Sequence, residues 1–462
     1  MTADIKPYPA YKDSGVPWLG RVPDHWTLLH GRACFREKKV VDAGMRQTTV
    51  LSLSYGQIVI KPVEKLHGLV PASFETYQVI DEGDIVVRPT DLQNDWNSLR
   101  FGLSSHRGII TSAYMCLSTL DALTRDYGFL LLHAYDLKKV FYGLGSGLRQ
   151  NLDWGDFKYL PCVVPPVSEQ AAIVRYLDHA DRKVRRAIRA RQQLIKLLTE
   201  QKQAIINRAV TRGLDPSVPL KPSGVPWLGD VPEHWAISRV KDEFNCLDRR
   251  RIPLSGVERG AMSSQQYDYY GASGIIDKVA DFLFDDELLL IAEDGANLVL
   301  RNLPLAIIAR GKFWVNNHAH ILKPKQGNIE YLSAVMEMLN YQPWISGAAQ
   351  PKLTQDRLMS IALAIPPRDE QDQIIANVQE KTVSLRHAID AAHREINLLR
   401  EYRTRLIADV VTGKLDVRDV KVPDDETDVP PEELENIDDV EATDESDDAA
   451  EGNSESGAEE NT

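Results

Sequence analysis

The sequence predicts an α+β chain in which two mixed α/β modules are separated by two long helices forming an antiparallel coiled coil, with a pseudo-twofold internal repeat and a disordered acidic C-terminal tail. Three observations carry this. Ser14–Trp26 reads SGVPWLGRVPDHW and Ser223–Trp235 reads SGVPWLGDVPEHW. Self-similarity at a fixed offset sets architecture before any other signal. Pro165, Pro166, Glu169 and Gln170 recur as Pro366, Pro367, Glu370 and Gln371, each set opening a long run almost free of Gly and Pro. From Lys421 to Thr462 the chain holds 18 acidic residues and one Lys, a net charge of −17.

The boundaries follow in order: an opening segment at 1–26, a first module at 27–164, a first long helix at 165–215, the repeated opening segment at 216–235, a second module at 236–365, a second long helix at 366–416 and the tail at 417–462. At 462 residues with 43% hydrophobic and 26% charged side chains, the chain suffices for two or three units with cores of their own. Its four cysteines, Cys34, Cys116, Cys162 and Cys246, form no C-x-x-C pair, so neither a zinc knuckle nor a disulfide framework is expected. No stretch approaches the ~20 apolar residues needed to span a bilayer. A soluble, cytoplasmic protein without membrane contact is the expectation. The tail accounts for the whole-chain charge of −13 and leaves residues 1–420 at +4. Rich in Asp, Glu, Ser and Pro, it cannot bury enough apolar surface to offset its ordering entropy.

In the first long helix Val184, Ile188, Ile195, Leu198 and Ile205 form an apolar stripe, and Leu385, Ile389, Ile396, Leu399 and Leu406 match them at a constant offset in the second. Spacings of three, four and seven place each set on one face, and a stripe this narrow calls for a partner helix. At 1.5 Å per residue each helix is roughly 60 Å long. Proline suits the first turn, and Glu169 and the Asp369–Glu370 pair favour the positive end of the helix dipole. The basic cluster Arg182, Lys183, Arg185, Arg186, Arg189 and Arg191, whose counterparts at the same offset include Val383, Ser384, Asp390 and Ala392, reads as a solvated face.

The modules carry short β-branched runs bounded by Gly, Pro and Asp: IVIKPVEKL, DIVVRP and GIITSAYMCL in the first, LLLIAEDG, LAIIA and FWVNNHAHIL in the second. Each ends in a helix, near Tyr127–Phe141 and Ile329–Leu339. The flanks of the repeat are far more alike than the module interiors, as expected of two similar scaffolds reading two different things.

These features together resemble the specificity subunits of type I restriction-modification systems over the whole chain except the tail. The matching strings are the duplicated SGVPWLG-x-VP-x-HW and PP-x-x-EQ, with GDIVVRPTDLQND, GIITSAY, AEDGANL and FWVNNHAHIL in the modules. The resemblance implies two target recognition domains, each reading half of a split site in double-stranded DNA, and a coiled coil that fixes the gap. It implies two methyltransferase subunits and two restriction/translocase subunits as partners, which would use S-adenosylmethionine, ATP and Mg²⁺. This chain itself would bind no cofactor or metal and catalyse nothing.

Base readout requires Arg, Lys, Asn and Gln side chains at groove edges, with further donors on phosphate. The expected DNA-contacting residues in the first module are Arg88, Thr90, Gln93 and Asn94 after a strand, with Ser105 and Arg107 beyond. In the second they are Asn297, Asn316, Asn317 and His318. Ser146 and Gln150 recur as Ser346 and Gln350 before each module rejoins its helix, a pattern suited to phosphate contact or a turn. Any one of these amides can equally close an Asx-turn on its own backbone.

Enzymatic alternatives find little support. A nucleotide-driven motor needs G-x-x-x-x-G-K-[ST] and a DNA-amino methyltransferase an [DN]-P-P-[YF] turn; neither occurs. Gly143-x-Gly145-x-Gly147 follows a helical stretch, unlike a cofactor loop. A metal-dependent nuclease or fused restriction enzyme would rest on Asp24, Glu37 and Lys39, but the second copy keeps only Glu233 of that pattern. A pure coiled-coil adaptor is the third reading.

Overall fold

The computed structural model describes residues 5–42, 47–54, 56–61, 76–96, 98–144, 150–226, 228–347 and 351–423. Most of the acidic tail, Ser146 and Gln350 therefore lie outside the described residues. Four principal helices occur: α1 (Arg125–Leu137), α2 (Val167–Arg212), α3 (Ile329–Met338) and α4 (Arg368–Val411). The chain divides into two compact units, Met1–Gln193 with His393–Thr462, and Leu194–Ala392. The long helices are thus not a unit apart. Each unit combines one module with the start of its own helix and the end of the other.

In the first unit the strands that frame the module include β1 (Thr27–His30), β2 (Phe35–Lys38), β3 (Ile85–Val87), β4 (Phe101–Leu103), β5 (Met115–Thr119) and β6 (Pro161–Val164). An antiparallel sheet runs in the order β2-β5-β3-β4, and β1 pairs with β6. The run expected as one strand over 108–117 is two, Gly108–Ile110 and β5, because Tyr114 N–H turns back to the Thr111 carbonyl (3.2 Å).

In the second unit the strands that frame the module are β7 (Ala236–Arg239), β8 (Phe244–Cys246), β9 (Tyr267–Gly271), β10 (Gly274–Val279), β11 (Phe284–Ala292), β12 (Ala306–Val315), β13 (Ala319–Pro324) and β14 (Ala362–Ile365). The six-stranded order is β8-β13-β11-β12-β9-β10, antiparallel except for β9 beside β12, and β7 pairs with β14. Its first four strands repeat the order of the first unit's sheet. The hairpin β9–β10, which the sequence patterns did not reveal, joins this sheet, whereas the hairpin at the same place in the first unit, Leu51–Ser54 with Gln57–Ile60, is a separate pair.

Helix starts explain the PP-x-x-EQ repeat. Gln170 Oε1 accepts the N–H of Thr124 (2.8 Å), the N-cap residue of α1, while its Nε2 donates to the carbonyls of Ala122 and Pro165 (both 2.9 Å). Gln371 does the same for α3, accepting from Asn328 N–H (2.8 Å) and donating to Pro366 (3.0 Å). One glutamine therefore fastens each long helix to its module's own helix, satisfying backbone N–H and C=O groups in the segments that lead into both.

The stripe residues behave as a helix interface. Val184, Ile188, Ile396 and Leu406 are buried and Ile195, Leu198, Ile205, Leu385, Ile389 and Leu399 half-buried, whereas the off-stripe Leu194, Leu197 and Leu398 are exposed. Within the first unit Asp181 pairs with Arg403 and Arg191 with Glu395 (2.7 Å), so α2 and α4 run antiparallel there. Arg182 and Arg185 pair with Asp178 (2.8 Å) and Asp181 (2.7 Å) one turn back. Both helix ends join module cores: Leu406, Val410 and Val411 pack with Trp26 and Tyr127, and Ala209 and Val210 with Trp235 and Tyr331. Among the described residues no helix is long and apolar enough to cross a membrane.

Candidate nucleic-acid interface

The duplicated opening segment is a clamp. In the first unit Trp26 Nε1–H donates to Glu169 Oε1 (2.9 Å), the Tyr8 hydroxyl donates to the same oxygen, and His25 Nε2 lies 2.8 Å from Oε2. Burial, then the Glu169 carboxylate, push the Tyr8 hydroxyl far above its ordinary pKa, so it stays a donor. In the second unit Trp235 Nε1–H donates to Glu370 Oε1 (3.1 Å) and His234 Nε2 lies 2.7 Å from Oε2. The HW of one repeat and the EQ of the other thus meet around a single carboxylate, which makes both strings structural.

The clamps hold two frames whose loops differ. In each unit the third and fourth strands of the shared sheet order are joined by a loop, 88–100 between β3 and β4 and 293–305 between β11 and β12. The segment preceding the return to the long helix clasps it the same way: Leu152 N–H donates to the Pro89 carbonyl (2.8 Å) and Leu353 N–H to that of Glu293 (2.7 Å). Asn151 Oδ1 also accepts Asp91 N–H (3.1 Å), and Gly295 N–H donates to Pro351 (3.1 Å).

In the first unit this brings Arg88, Thr90, Gln93, Asn94 and Gln150 to one region. Gln93, Asn94 and Gln150 are exposed; Asn94 Nδ2 donates to Asp91 Oδ1 (2.8 Å), and Arg88 pairs with Asp95 (3.1 Å). Ser105 and Arg107 do not join them. They follow the far end of the β3–β4 hairpin, where Arg107 pairs with Asp81 (3.3 Å) and Ser104 N–H donates to Asp84 (2.9 Å). Beneath the loop, burial pushes the Asp136 carboxyl up to about 6.

In the second unit three segments converge. Glu293 N–H donates to His318 (2.9 Å), His318 Nδ1 lies 2.9 Å from Asp294 Oδ1, and Ser346 N–H donates to Lys352 (2.9 Å). Two of the expected contact residues bond within their own loops. Asn316 is only 6% exposed and its Oδ1 accepts His318 N–H (2.8 Å), so this amide builds the turn. Asn297 spends both ends of its amide on Leu303, donating to its carbonyl (3.1 Å) and accepting its N–H (2.9 Å). Asn317 remains on the exposed face.

Beside these loops Asp248, Glu293 and His320 each offer a ligand atom within 4.8 Å of the others. Their chemistry is that of an ion-pair network. His320 Nδ1 lies 2.6 Å from Asp248 and its Nε2 2.7 Å from the Leu353 carbonyl, while Arg251 and Lys352 (3.2 Å) both reach Glu293. Burial works against the Asp248 carboxylate, but the His320 hydrogen bond and charge, the Ile321 N–H and the Arg251 charge together outweigh it and hold its pKa below the usual range. In the first module, Lys39 simply pairs with Glu37 (2.8 Å).

Residues 232–395 match the profile of the type I restriction modification DNA specificity domain. Over that span the chain is similar to the specificity subunits of type I restriction-modification systems. Over 133 residues it is 35% identical to a protein named as a type I restriction enzyme specificity subunit of Haemophilus influenzae, a match taking in 28% of this chain and 33% of that relative. The chain thus spans about a third of that relative's length in the match. A type I restriction enzyme specificity subunit of Methanocaldococcus jannaschii is 20% identical over 304 residues, 63% of this chain and 68% of the relative. A solved chain described for complex assembly and conformational transition of the type I R-M system superposes with a TM-score of 0.59 at 13% identity, covering 85% of this chain and 99% of that one. This shows a shared fold.

The matched span holds the second module and the first part of α4. The first module lies outside that span and shares with the second its clamp, its strand order and its glutamine fastening.

Proposed function

We propose that this chain is the DNA sequence-recognition subunit of a type I restriction-modification complex, each module reading one half of a bipartite target. The observation that carries this is the placement of two chemically unlike loops, 88–100 and 293–305, at one topological position of two like-built frames. Conserving a frame while changing a loop is how one scaffold yields two specificities. The helices α2 and α4 would set the gap and dock two methyltransferase subunits, and two restriction/translocase subunits would complete the assembly in the cytoplasm. No observation favours the nuclease reading. Mapping methylated positions genome-wide, in cells carrying this chain with its cognate methyltransferase, tests the proposal. A split motif is the expected result, and no motif dependent on this chain would overturn it.

The chain is proposed to be non-catalytic and to bind neither ATP nor S-adenosylmethionine, which its partners would use with Mg²⁺. Calorimetric titration of the purified chain should show no heat of binding for either; micromolar affinity would refute it. With a body charge of only +4, counterion release offers little affinity to the chain alone. Partner subunits should be needed for tight specific binding at ~150 mM salt.

The exposed amides give the test of readout. Q93A with N94A should relax one half-site only, at about 1–3 kcal/mol for each bidentate pairing with a base that is removed, and N317A the other. Equal degradation of both halves would show that these residues serve folding.

A further inference from the structure

Arg100 is fully buried, 0% exposed, at the foot of the loop that presents Gln93 and Asn94. Its side chain serves that loop's main chain. Nη1 donates to the carbonyls of Thr90 (2.7 Å) and Arg88 (3.3 Å), Nη2 to those of Asp95 (2.6 Å) and Asp91 (3.3 Å), and Nε to the Tyr142 hydroxyl (3.2 Å). All five guanidinium N–H groups are thereby used. The Tyr142 hydroxyl donates in turn to Asp95 (2.9 Å), its ring lies 5.1 Å from the guanidinium carbon, and the Trp96 ring stacks on it with centroids 4.4 Å apart. Arg100 itself is held by Asp136, whose Oδ2 accepts its backbone N–H (2.9 Å).

The loop needs such a hold. Asp91 sits at φ 62, a left-handed conformation uncommon outside glycine, and it persists only where surroundings over-determine it. A buried guanidinium is costly unless its donors are met, and here four loop carbonyls meet them. The shape of the loop and the burial of the charge therefore depend on each other.

We infer that Arg100 is a positioning residue for sequence readout: without touching DNA, it sets the base preference of the first module by fixing the backbone that carries Gln93 and Asn94. This rests on the proposed reading of the loop as a DNA reader. Lysine cannot replace it, because one ammonium with three donors does not reproduce a planar five-donor fork.

The test uses the full chain with its methyltransferase subunits and maps methylation genome-wide for R100K, Y142F, and Q93A with N94A. R100K should lower discrimination at one half-site by roughly tenfold or more, the scale set by a single bidentate pairing with a base, while the other half-site keeps its preference. Y142F, which keeps the ring but not its hydroxyl, should produce a smaller effect at the same half-site even if R100K fails to fold. Amide hydrogen exchange should quicken over 88–96 in both variants and stay unchanged in β5. A uniform fall in methylation with both preferences intact, or an unchanged pattern, would overturn the inference. If Q93A with N94A relaxes a half-site and the other two variants do not, Arg100 alone fails as a positioning residue. If Q93A with N94A also changes nothing, the loop is no reader and the reading beneath the inference fails.

Discussion

E169A is expected to destabilise the chain by about 3–5 kcal/mol, and E370A by roughly half as much. The Glu169 carboxylate is 4% exposed and accepts from Trp26 and Tyr8, both buried, and from His25. Removing it strands two buried donors, each costing about 1–3 kcal/mol, and cuts the tie between the opening segment and α2. In the second unit the Glu370 side chain is 22% exposed, no tyrosine occurs over 216–222, and half-exposed His234 can turn to water. Only Trp235 is left unpaired there. Denaturant unfolding of the two variants reads the difference directly. Equal destabilisation, or an effect under about 1 kcal/mol at Glu169, would show that the clamp is not what the repeated strings preserve.

That asymmetry also shows where the sequence was legible. A repeat is visible without knowing what it does, and stripe periodicity announces a helix interface because both properties are local. The partners of the repeated strings are not local: His25 and Glu169 stand 144 residues apart, and no spacing rule joins an HW to an EQ. The fate of each loop amide depends on backbone direction, so nothing in the sequence separates Asn316 and Asn297, which close turns, from Asn317, which faces outward. Ser105 and Arg107 follow the 88–96 loop closely in the chain, yet the β3–β4 hairpin carries them away from it. Arg100 has the look of any surface cation in the sequence; only its full burial distinguishes it. One further local signal marks the helix ends, the recurrence of Val210-Thr211 with Leu214-Asp215 as Val411-Thr412 with Leu415-Asp416.

Those helix ends give a mechanism for the last expected result: residues 1–222 alone form a homodimer that, with the methyltransferase subunits, modifies a palindromic site. The fragment keeps the first module and α2 but lacks Leu406, Ile407, Val410 and Val411, which complete its core. The end of α2 is built to fill such a vacancy. Tyr331 donates to the Val210 carbonyl (3.3 Å) as Tyr127 donates to that of Val411 (3.5 Å), and Ala209 and Val210 pack on Trp235 as Val410 and Val411 pack with Trp26. In a twofold dimer each copy lends its α2 end to the other's module, the usual closed solution for a self-complementary surface. The stripe of Val184, Ile188, Ile195, Leu198 and Ile205 is covered at the same time. Each side chain recovers about 1.5–3 kcal/mol on full burial, and the set repeats twice, against an association cost of about 4–15 kcal/mol. The turn that closes each helix matches as well: Gly213 takes a left-handed φ of 71 beside Trp235, as Gly413 takes one of 79 beside Trp26. Sedimentation of the fragment and methylation mapping decide the matter, and a stable monomer, or methylation of the original asymmetric site, would mean that the two helix ends are not interchangeable.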